Sequence, residues 1–116
     1  MQQFETGTIQ RDDAIETVIA QLDEVVQKYR PQKIILFGSY ASGTSTRDSD
    51  IDLLIILDTH RKTWDIAVEI SLMFKHSLPM DIIVRTPQEI VKRLDDGDFF
   101  IKDIIENGKV IYEQTG

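Results

Sequence analysis

The sequence predicts an α/β (α+β) fold in which a small mixed β-sheet is covered by helices. Short runs of consecutive aliphatic residues, typical of strands buried on both faces, alternate with segments in which apolar residues recur every three or four positions. Prolines, glycines and polar turns separate these segments. The 116 residues contain no internal repeat or low-complexity segment, so we expect a single domain over residues 1–116.

The first half of the chain is predicted to contain one helix and two strands. Its segments are, in order, a loose arm at 1–10, an amphipathic helix from Asp12 to Arg30, a strand from Lys33 to Phe37, a polar loop at 38–49 and a strand from Ile51 to Leu57. Pro31 ends the helix, because proline lacks the N–H that would continue it. Gly38 ends the first strand, and Ser39 to Ala41 can begin a short helix.

The second half is predicted to add three helices and two strands. Its segments are a polar connection at 58–63, a helix from Trp64 to Ser77, a strand from Met80 to Val84, helices from Pro87 to Leu94 and from Phe99 to Glu106, and a short strand from Lys109 to Glu113. Thr86-Pro87-Gln88-Glu89 is a capping box with proline at the first helical position. Asp98 caps the last helix, and Asn107-Gly108 closes it.

Most apolar residues are interpreted as core. The buried positions expected in the second helix include Trp64, Ala67, Val68, Leu72 and Phe74. Trp64 and Phe74 are assigned to core or interface rather than to base stacking. His60 and His76, which have no metal-ligand spacing, are expected to be solvated. The run Phe99-Phe100-Ile101, with Ile104-Ile105, is expected to pack as a helix, and a protein-binding patch is the alternative.

The composition excludes several classes of protein. A net charge of −7 disfavours direct nucleic-acid binding, which depends on basic side chains, and favours divalent cations or a basic protein partner. The chain has no cysteine, so disulfides and thiolate metal sites are excluded. There is no membrane-spanning apolar stretch, and the N-terminus does not resemble a signal peptide. We expect a soluble protein of the cytoplasm with no membrane partner.

Three aspartates lie in or beside predicted strands. Asp50 and Asp52 are two residues apart and therefore point to the same face of their strand, about 6–7 Å apart. Asp81 lies in another apolar strand that can pair with the first. Neither strand contains a Lys or Arg that would neutralise them, so one or two hard cations such as Mg²⁺ would complete the cluster. Alternatively, Asp50 and Asp52 lie in the preceding turn and face water.

The Gly38-Ser39 turn is a candidate phosphate site. Glycine allows close approach of the backbone, and a helix start offers unpaired N–H groups to phosphate oxygens. The turn matches neither a Walker A loop nor a dinucleotide-binding turn, and a lone strand-Gly-Ser is a weak signal.

The two features together are specific. Gly38-Ser39 is followed, after ten residues, by Asp50-Ile51-Asp52, and the stretch KIILFGSYASGTSTRDSDIDLLIIL at 33–57 resembles the signature of minimal nucleotidyltransferases (MNT), a branch of the polymerase-β-like nucleotidyltransferase superfamily. The resemblance covers about residues 12–113. It implies the polymerase-β-like fold, nucleotide contacts at Gly38 and Ser39, and two Mg²⁺ ions held by Asp50 and Asp52. It also implies that Asp81 binds one metal and acts as, or assists, the base for the incoming hydroxyl.

The resemblance also implies a function. Many MNT proteins are antitoxins that transfer AMP from ATP to a tyrosine of a HEPN-family RNase toxin, and a protein acceptor suits a chain too short for an acceptor-binding domain. A small-molecule nucleotidyltransferase of the antibiotic type is one alternative, and a non-catalytic antitoxin or nucleotide-binding module is another. The family commonly has YARG after the Gly-Ser turn, whereas this chain has Tyr40-Ala41-Ser42-Gly43 and so lacks one positive charge near the phosphates. Three outcomes follow as alternatives: Arg47 substitutes for it, a partner supplies it, or activity is lower. Homo-oligomerisation and base preference stay open.

Overall fold

The order of helices and strands agrees with the prediction. The computed structural model describes residues 13–46, 48–74 and 79–115. The elements in these ranges are α1 (Asp13–Tyr29), β1 (Lys33–Phe37), α2 (Ser39–Ser42), β2 (Ile51–Ile56), α3 (Thr63–Met73), β3 (Met80–Arg85), α4 (Pro87–Asp95), α5 (Phe99–Asn107) and β4 (Lys109–Glu113). The arm at 1–10, Asp12, Arg47, His76 and the end of the predicted second helix lie outside the described residues.

The four strands form one mixed sheet in the order β3-β2-β1-β4. β1 lies antiparallel to both β2 and β4, whereas β2 and β3 are parallel. The parallel pair requires a crossover connection, and α3 is that crossover. As a consequence, the carboxyl end of β1 and the amino ends of β2 and β3 meet at the same edge of the sheet.

Each face of the sheet is covered by a separate group of helices. One core packs α1 and α3 against alternate strand residues such as Leu36, Leu53 and Ile55. The other core packs α4 and α5 against residues such as Ile35 and Leu54. The molecule is therefore a three-layer α-β-α arrangement, and the long apolar runs of β1 and β2 follow from burial on both faces.

The helices on the second face begin as their sequences predict. Thr86 and Glu89 form the complete capping box, because the Glu89 N–H donates to Thr86 Oγ1 at 3.1 Å and the Thr86 N–H donates to Glu89 Oε1 at 2.8 Å. Asp98 caps α5 by accepting a hydrogen bond from the Ile101 N–H at 3.0 Å.

Among the described residues, no helix combines the length and the apolarity needed to cross a bilayer.

The prediction for the buried face of α3 was partly wrong. Ala67 and Phe74 are buried as expected, but Trp64 is 76% exposed, Val68 44% and Leu72 61%. The core positions of α3 are instead Ile66 and Ile70. The exposed residues, which begin at Trp64, and the core residues, which begin at Ile66, both repeat every four positions. Because a shift of two residues moves a side chain to the opposite side of a helix, periodicity alone does not choose between them. Trp64, Val68 and Leu72 thus form an exposed apolar stripe.

The α5 run is also only partly packed. Ile101 and Ile104 lie in the core, whereas Phe99 is 82% exposed, and Phe100 and Ile105 are also exposed. His60 is exposed, as predicted. The outer surface of α5 is therefore more apolar than a solvated helix needs, which favours the alternative of a protein-binding patch.

Candidate active site

The sheet brings two of the predicted aspartates side by side. Asp52 is the second residue of β2, and its register partner in β3 is Asp81. Alternation along the strands puts both on the face covered by α4 and α5, because Leu54 and Ile83, two residues further on, pack in that core. Asp50 directly precedes β2 and is exposed. The acids therefore lie at the sheet edge where β1 ends.

The electrostatics of this edge are those of neighbouring like charges. Burial raises the pKa of Asp52 above its ordinary value, and the charges of Asp81 and Asp50 raise this pKa further. In the described segments, no ion pair or hydrogen bond involves any of the three carboxylates. The site thus contains negative charge that a bound cation would relieve.

Gly38 lies against Asp52. Its backbone angles, φ 73° and ψ −154°, belong to a region open almost only to glycine. A Cβ atom at this position would collide with Asp52 Oδ2. The residue before it, Phe37, is the register partner of Asp52 in β1. Gly38 is therefore required twice, for the turn and for the approach of the carboxylate to the backbone.

The side chain of Tyr40 anchors helix α2 in the first core. Tyr40 is 3% exposed and packs with the helices of that face, so Ser39 is positioned next to Gly38 at the start of α2. The following loop is folded back on itself, because the Thr46 N–H donates to Ser49 Oγ at 2.8 Å immediately before Asp50. The described residues on both sides of position 47 are thus linked by a local hydrogen bond just before the acids.

Helix α5 forms a second wall beside the turn. A cleft of about 320 Å³ separates Phe37, Gly38, Ala41 and Ser42 from Asp103 and Asn107 of α5. Asn107 Nδ2 donates to Asp103 Oδ1 at 2.7 Å, and the Phe100 ring packs edge-on against Phe37 at 5.7 Å between ring centroids. Sequence reasoning missed this wall, because polar residues four positions apart on a helix look like an ordinary solvated face.

The predicted departure at Ser42 has a structural counterpart. Ser42 Oγ lies 3.2 Å from the Ser39 carbonyl oxygen and 2.8 Å from Thr44 Oγ1, so its side chain is used within the loop. None of the described residues that line the cleft is a Lys or an Arg. Arg47, the suggested substitute, lies outside the described residues.

The three aspartates provide the oxygen ligands that a hard cation prefers, but they do not form a complete coordination sphere. No three acidic or histidine side chains in the described parts of the chain are arranged to enclose a metal by themselves. Mg²⁺ commonly uses one or two carboxylates and takes its remaining ligands from water and substrate phosphates. Asp52 and Asp81 are neighbouring carboxylates, and Asp52 has a raised pKa and lies next to Gly38, which has no Cβ. This arrangement matches that requirement.

Comparison with known proteins gives one family. Residues 18–112 match the family described as "Nucleotidyltransferase domain". Two similar proteins come from Methanocaldococcus jannaschii. "Putative protein adenylyltransferase MJ0604" is 36% identical over 89 residues, which are 73% of this chain and 84% of that protein. "Putative protein adenylyltransferase MJ1305" is 32% identical over 107 residues, 80% of this chain and 70% of that protein.

Solved structures share the fold. A crystal structure titled as a "putative nucleotidyltransferase" from Sulfolobus solfataricus aligns with a TM-score of 0.54 at 22% identity, covering 90% of this chain and 91% of that one. A toxin-antitoxin structure with AMP-PNP aligns with a TM-score of 0.52 at 22% identity, covering 86% and 73%. A mutant of the MntA-HpeT toxin-antitoxin pair aligns with a TM-score of 0.51 at 21% identity, covering 91% and 76%.

Proposed function

The chain belongs to the nucleotidyltransferase domain family, and on that premise we propose that it transfers AMP from ATP to a hydroxyl group of a partner protein. One observation carries the proposal. Asp52 faces Asp81 across the β2–β3 register and lies against Gly38, so two carboxylates meet a turn that is suited to phosphate. The protein acceptor is supported by the names of the two relatives from M. jannaschii.

Each site residue has a proposed role. Asp50, Asp52 and Asp81 hold one or two Mg²⁺ ions, which supply charge neutralisation for the triphosphate and for the leaving oxygen. Gly38 and Ser39 contact the phosphates through the backbone at the start of α2 and the Ser39 hydroxyl. The negative charge of Asp52, which burial and the neighbouring acids make unfavourable in the free protein, would become favourable once a cation is bound.

The proposed reaction is an in-line displacement at the α-phosphorus of ATP. The acceptor hydroxyl oxygen forms a bond to the α-phosphorus while the bond from that phosphorus to the α–β bridging oxygen breaks, and diphosphate leaves with its electron pair. The hydroxyl proton passes to a carboxylate oxygen of Asp81. In this scheme the protein contributes mainly position and charge, as in other phosphoryl-group transfers.

We propose a toxin of the HEPN family as the partner, with a tyrosine as the acceptor. Two solved structures with the same fold are of toxin-antitoxin pairs. The net charge of −7 suits a partner that presents basic surface to RNA. The exposed apolar stripe of α3, which includes Trp64 and Leu72, supports a protein partner as well, since monomeric proteins seldom expose large apolar patches.

Isotope transfer tests this proposal. The chain and the product of the neighbouring reading frame are incubated with Mg²⁺ and ATP labelled either on the α-phosphate or on the γ-phosphate. We expect the α-label to appear on the partner, which gains the mass of one or more AMP groups, and the γ-label to appear only in released diphosphate. Asp52→Asn should reduce transfer at least about 100-fold. Asp23→Asn, which removes one charge from the exposed surface of α1, should not.

Two outcomes contradict the proposal. Transfer of the γ-label would mean phosphorylation rather than adenylylation. Absence of both labels, with the partner neutralised equally by wild type and Asp52→Asn, would mean that the chain acts by contact alone.

A further inference from the structure

The cleft between α2 and α5 is lined by different chemical groups from the sheet edge where Asp50, Asp52 and Asp81 lie. It shares Gly38 with the site described above, but its far wall is Asp103 and Asn107 on the cleft-facing side of α5. From these residues we propose that the cleft binds the nucleoside end of the nucleotide, with Asp103 accepting hydrogen bonds from the ribose hydroxyls and Asn107 accepting one from the base. This inference rests on the proposed function.

The charge of the cleft decides which end of a nucleotide it takes. The described residues that line it include a carboxylate and no basic side chain. The cleft offers one carboxylate to a cation where the amino ends of β2 and β3 offer three, so Mg²⁺ and the triphosphate suit the three aspartates, and a neutral sugar and base suit the cleft. Since the phosphates belong at the Gly-Ser turn, at one end of this cleft, a single nucleotide can reach from the turn into the cleft.

The hydrogen bonding of the wall decides which groups it recognises. Asn107 Nδ2 already donates to Asp103 Oδ1 at 2.7 Å, so the pair is mutually oriented. The second carboxylate oxygen of Asp103 and the amide oxygen of Asn107 are acceptors that this bond leaves available. Ribose hydroxyls and the exocyclic amino group of a base are donors, and a carboxylate that accepts from ribose hydroxyls is a known solution for nucleotides. The wall therefore selects hydroxyl and amino groups.

The wall is fixed against the sheet rather than free to move. A Cβ at Gly108 would lie 2.5 Å from both the Ile104 carbonyl oxygen and Ile35 Cγ2, so the end of α5 packs directly on β1. Phe100 rests edge-on against Phe37 on the same side of the sheet. The volume of about 320 Å³ falls within the range of roughly 300–1,000 Å³ that is typical of small-molecule sites. The cleft thus has the volume of a small-molecule site, and the backbone that carries the exposed side chains of Asp103 and Asn107 is fixed on β1.

Calorimetric titration with three ligands tests the assignment. The ligands are Mg²⁺ with ATP, with 2′,3′-dideoxy-ATP and with tripolyphosphate. Wild type should bind ATP about tenfold or more tightly than the dideoxy nucleotide, because a hydrogen bond to a charged group is lost. Asp103→Ala should bind both nucleotides equally, at the dideoxy level, and Asn107→Ala should weaken both. Neither variant should weaken tripolyphosphate binding.

Glu106→Ala is the matched control, since it removes the same charge from an exposed position of the same helix outside the cleft. Alanine favours helix, so these variants should keep α5 intact. Equal ATP affinity of Asp103→Ala and Glu106→Ala would overturn the assignment and leave the cleft to the acceptor. If wild type binds ATP no better than tripolyphosphate, the assignment fails while the proposed phosphate site stands. If wild type binds none of the ligands, the proposed function fails with it.

Discussion

Replacing Gly38 with alanine is the perturbation for which the structure makes the most detailed prediction. The backbone at Gly38 (φ 73°, ψ −154°) costs a residue with a side chain about 1–3 kcal/mol. The unfolding entropy of a chain this long converts each kcal/mol into about 4 °C, so the melting temperature should fall by about 4–12 °C. The new Cβ would also displace Asp52 Oδ2, and we therefore expect AMP transfer to be lost.

The two effects can be separated by suitable controls. Gly97 also has a positive φ, 81°, but a Cβ there would have no neighbour within 4 Å, so Gly97→Ala should lower the melting temperature and keep transfer activity. In an Asp52→Ala background the colliding oxygen is gone, so Gly38→Ala should cost only the backbone strain.

The assays are thermal unfolding followed by circular dichroism and transfer of the α-phosphate label. A Gly38→Ala protein that transfers AMP at the wild-type rate would show that the position of Asp52 against the turn is irrelevant to the chemistry. An equal cost of Gly38→Ala in the two backgrounds would refute the predicted collision.

Three further predictions concern stability. Because the pKa of Asp52 is raised above 3.8, the folded protein loses stability as pH rises from about 3.8 through the raised pKa and Asp52 ionises. Without metal, Asp52→Asn should therefore melt at a higher temperature than wild type at pH 7 and at the same temperature at pH 3. The control Asp23→Asn should not show this gain at pH 7. Burial and the 2.7 Å hydrogen bond to Glu69 raise the pKa of Tyr29 to about 12, so Tyr29→Phe should remove a tyrosinate absorbance step near pH 12. The stability that this group contributes should be present below pH 10 and lost as pH rises to about 12. A Tyr29 absorbance step near pH 10 would contradict the hydrogen bond to Glu69. Thr86→Ala should cost about 1 kcal/mol, or about 4 °C in melting temperature, whereas Ser71→Ala on the exposed surface of α3 should not lower it; an unchanged melting temperature for Thr86→Ala would mean that the capping box contributes little.

Features that depend on neighbouring residues were predictable from sequence. The Thr86 capping box and the Asp98 cap are set by residues within one helical turn of each other, and both are present. The separation of Gly38-Ser39 from Asp50 and Asp52 is likewise a local property of the chain. The pairing of Asp52 with Asp81 is not local, and the sequence indicated only that their two aliphatic strands could lie side by side, as they do.

Features that depend on how helices cross the sheet were not predictable. Which apolar stripe of α3 is buried depends on its rotation over the sheet, and Ile66 and Ile70 take the core instead of Trp64 and Val68. The cleft wall at Asp103 and Asn107 exists because Ile101 and Ile104 anchor α5 in the second core, which turns the adjacent flank of the helix toward Gly38. No pattern along the chain encodes either rotation.

The proposed site requires that Asp52 and Asp81 bind a divalent cation together with a nucleotide, and cation binding can be measured without an acceptor. Mn²⁺, used in place of Mg²⁺, is titrated into the protein with a non-hydrolysable ATP analogue and followed by electron paramagnetic resonance. We predict that wild type and Asp23→Asn bind the cation with equal affinity, and that Asp52→Asn and Asp81→Asn each lose about tenfold or more, because each removes one carboxylate ligand. Unchanged Mn²⁺ affinity in Asp52→Asn would contradict this requirement.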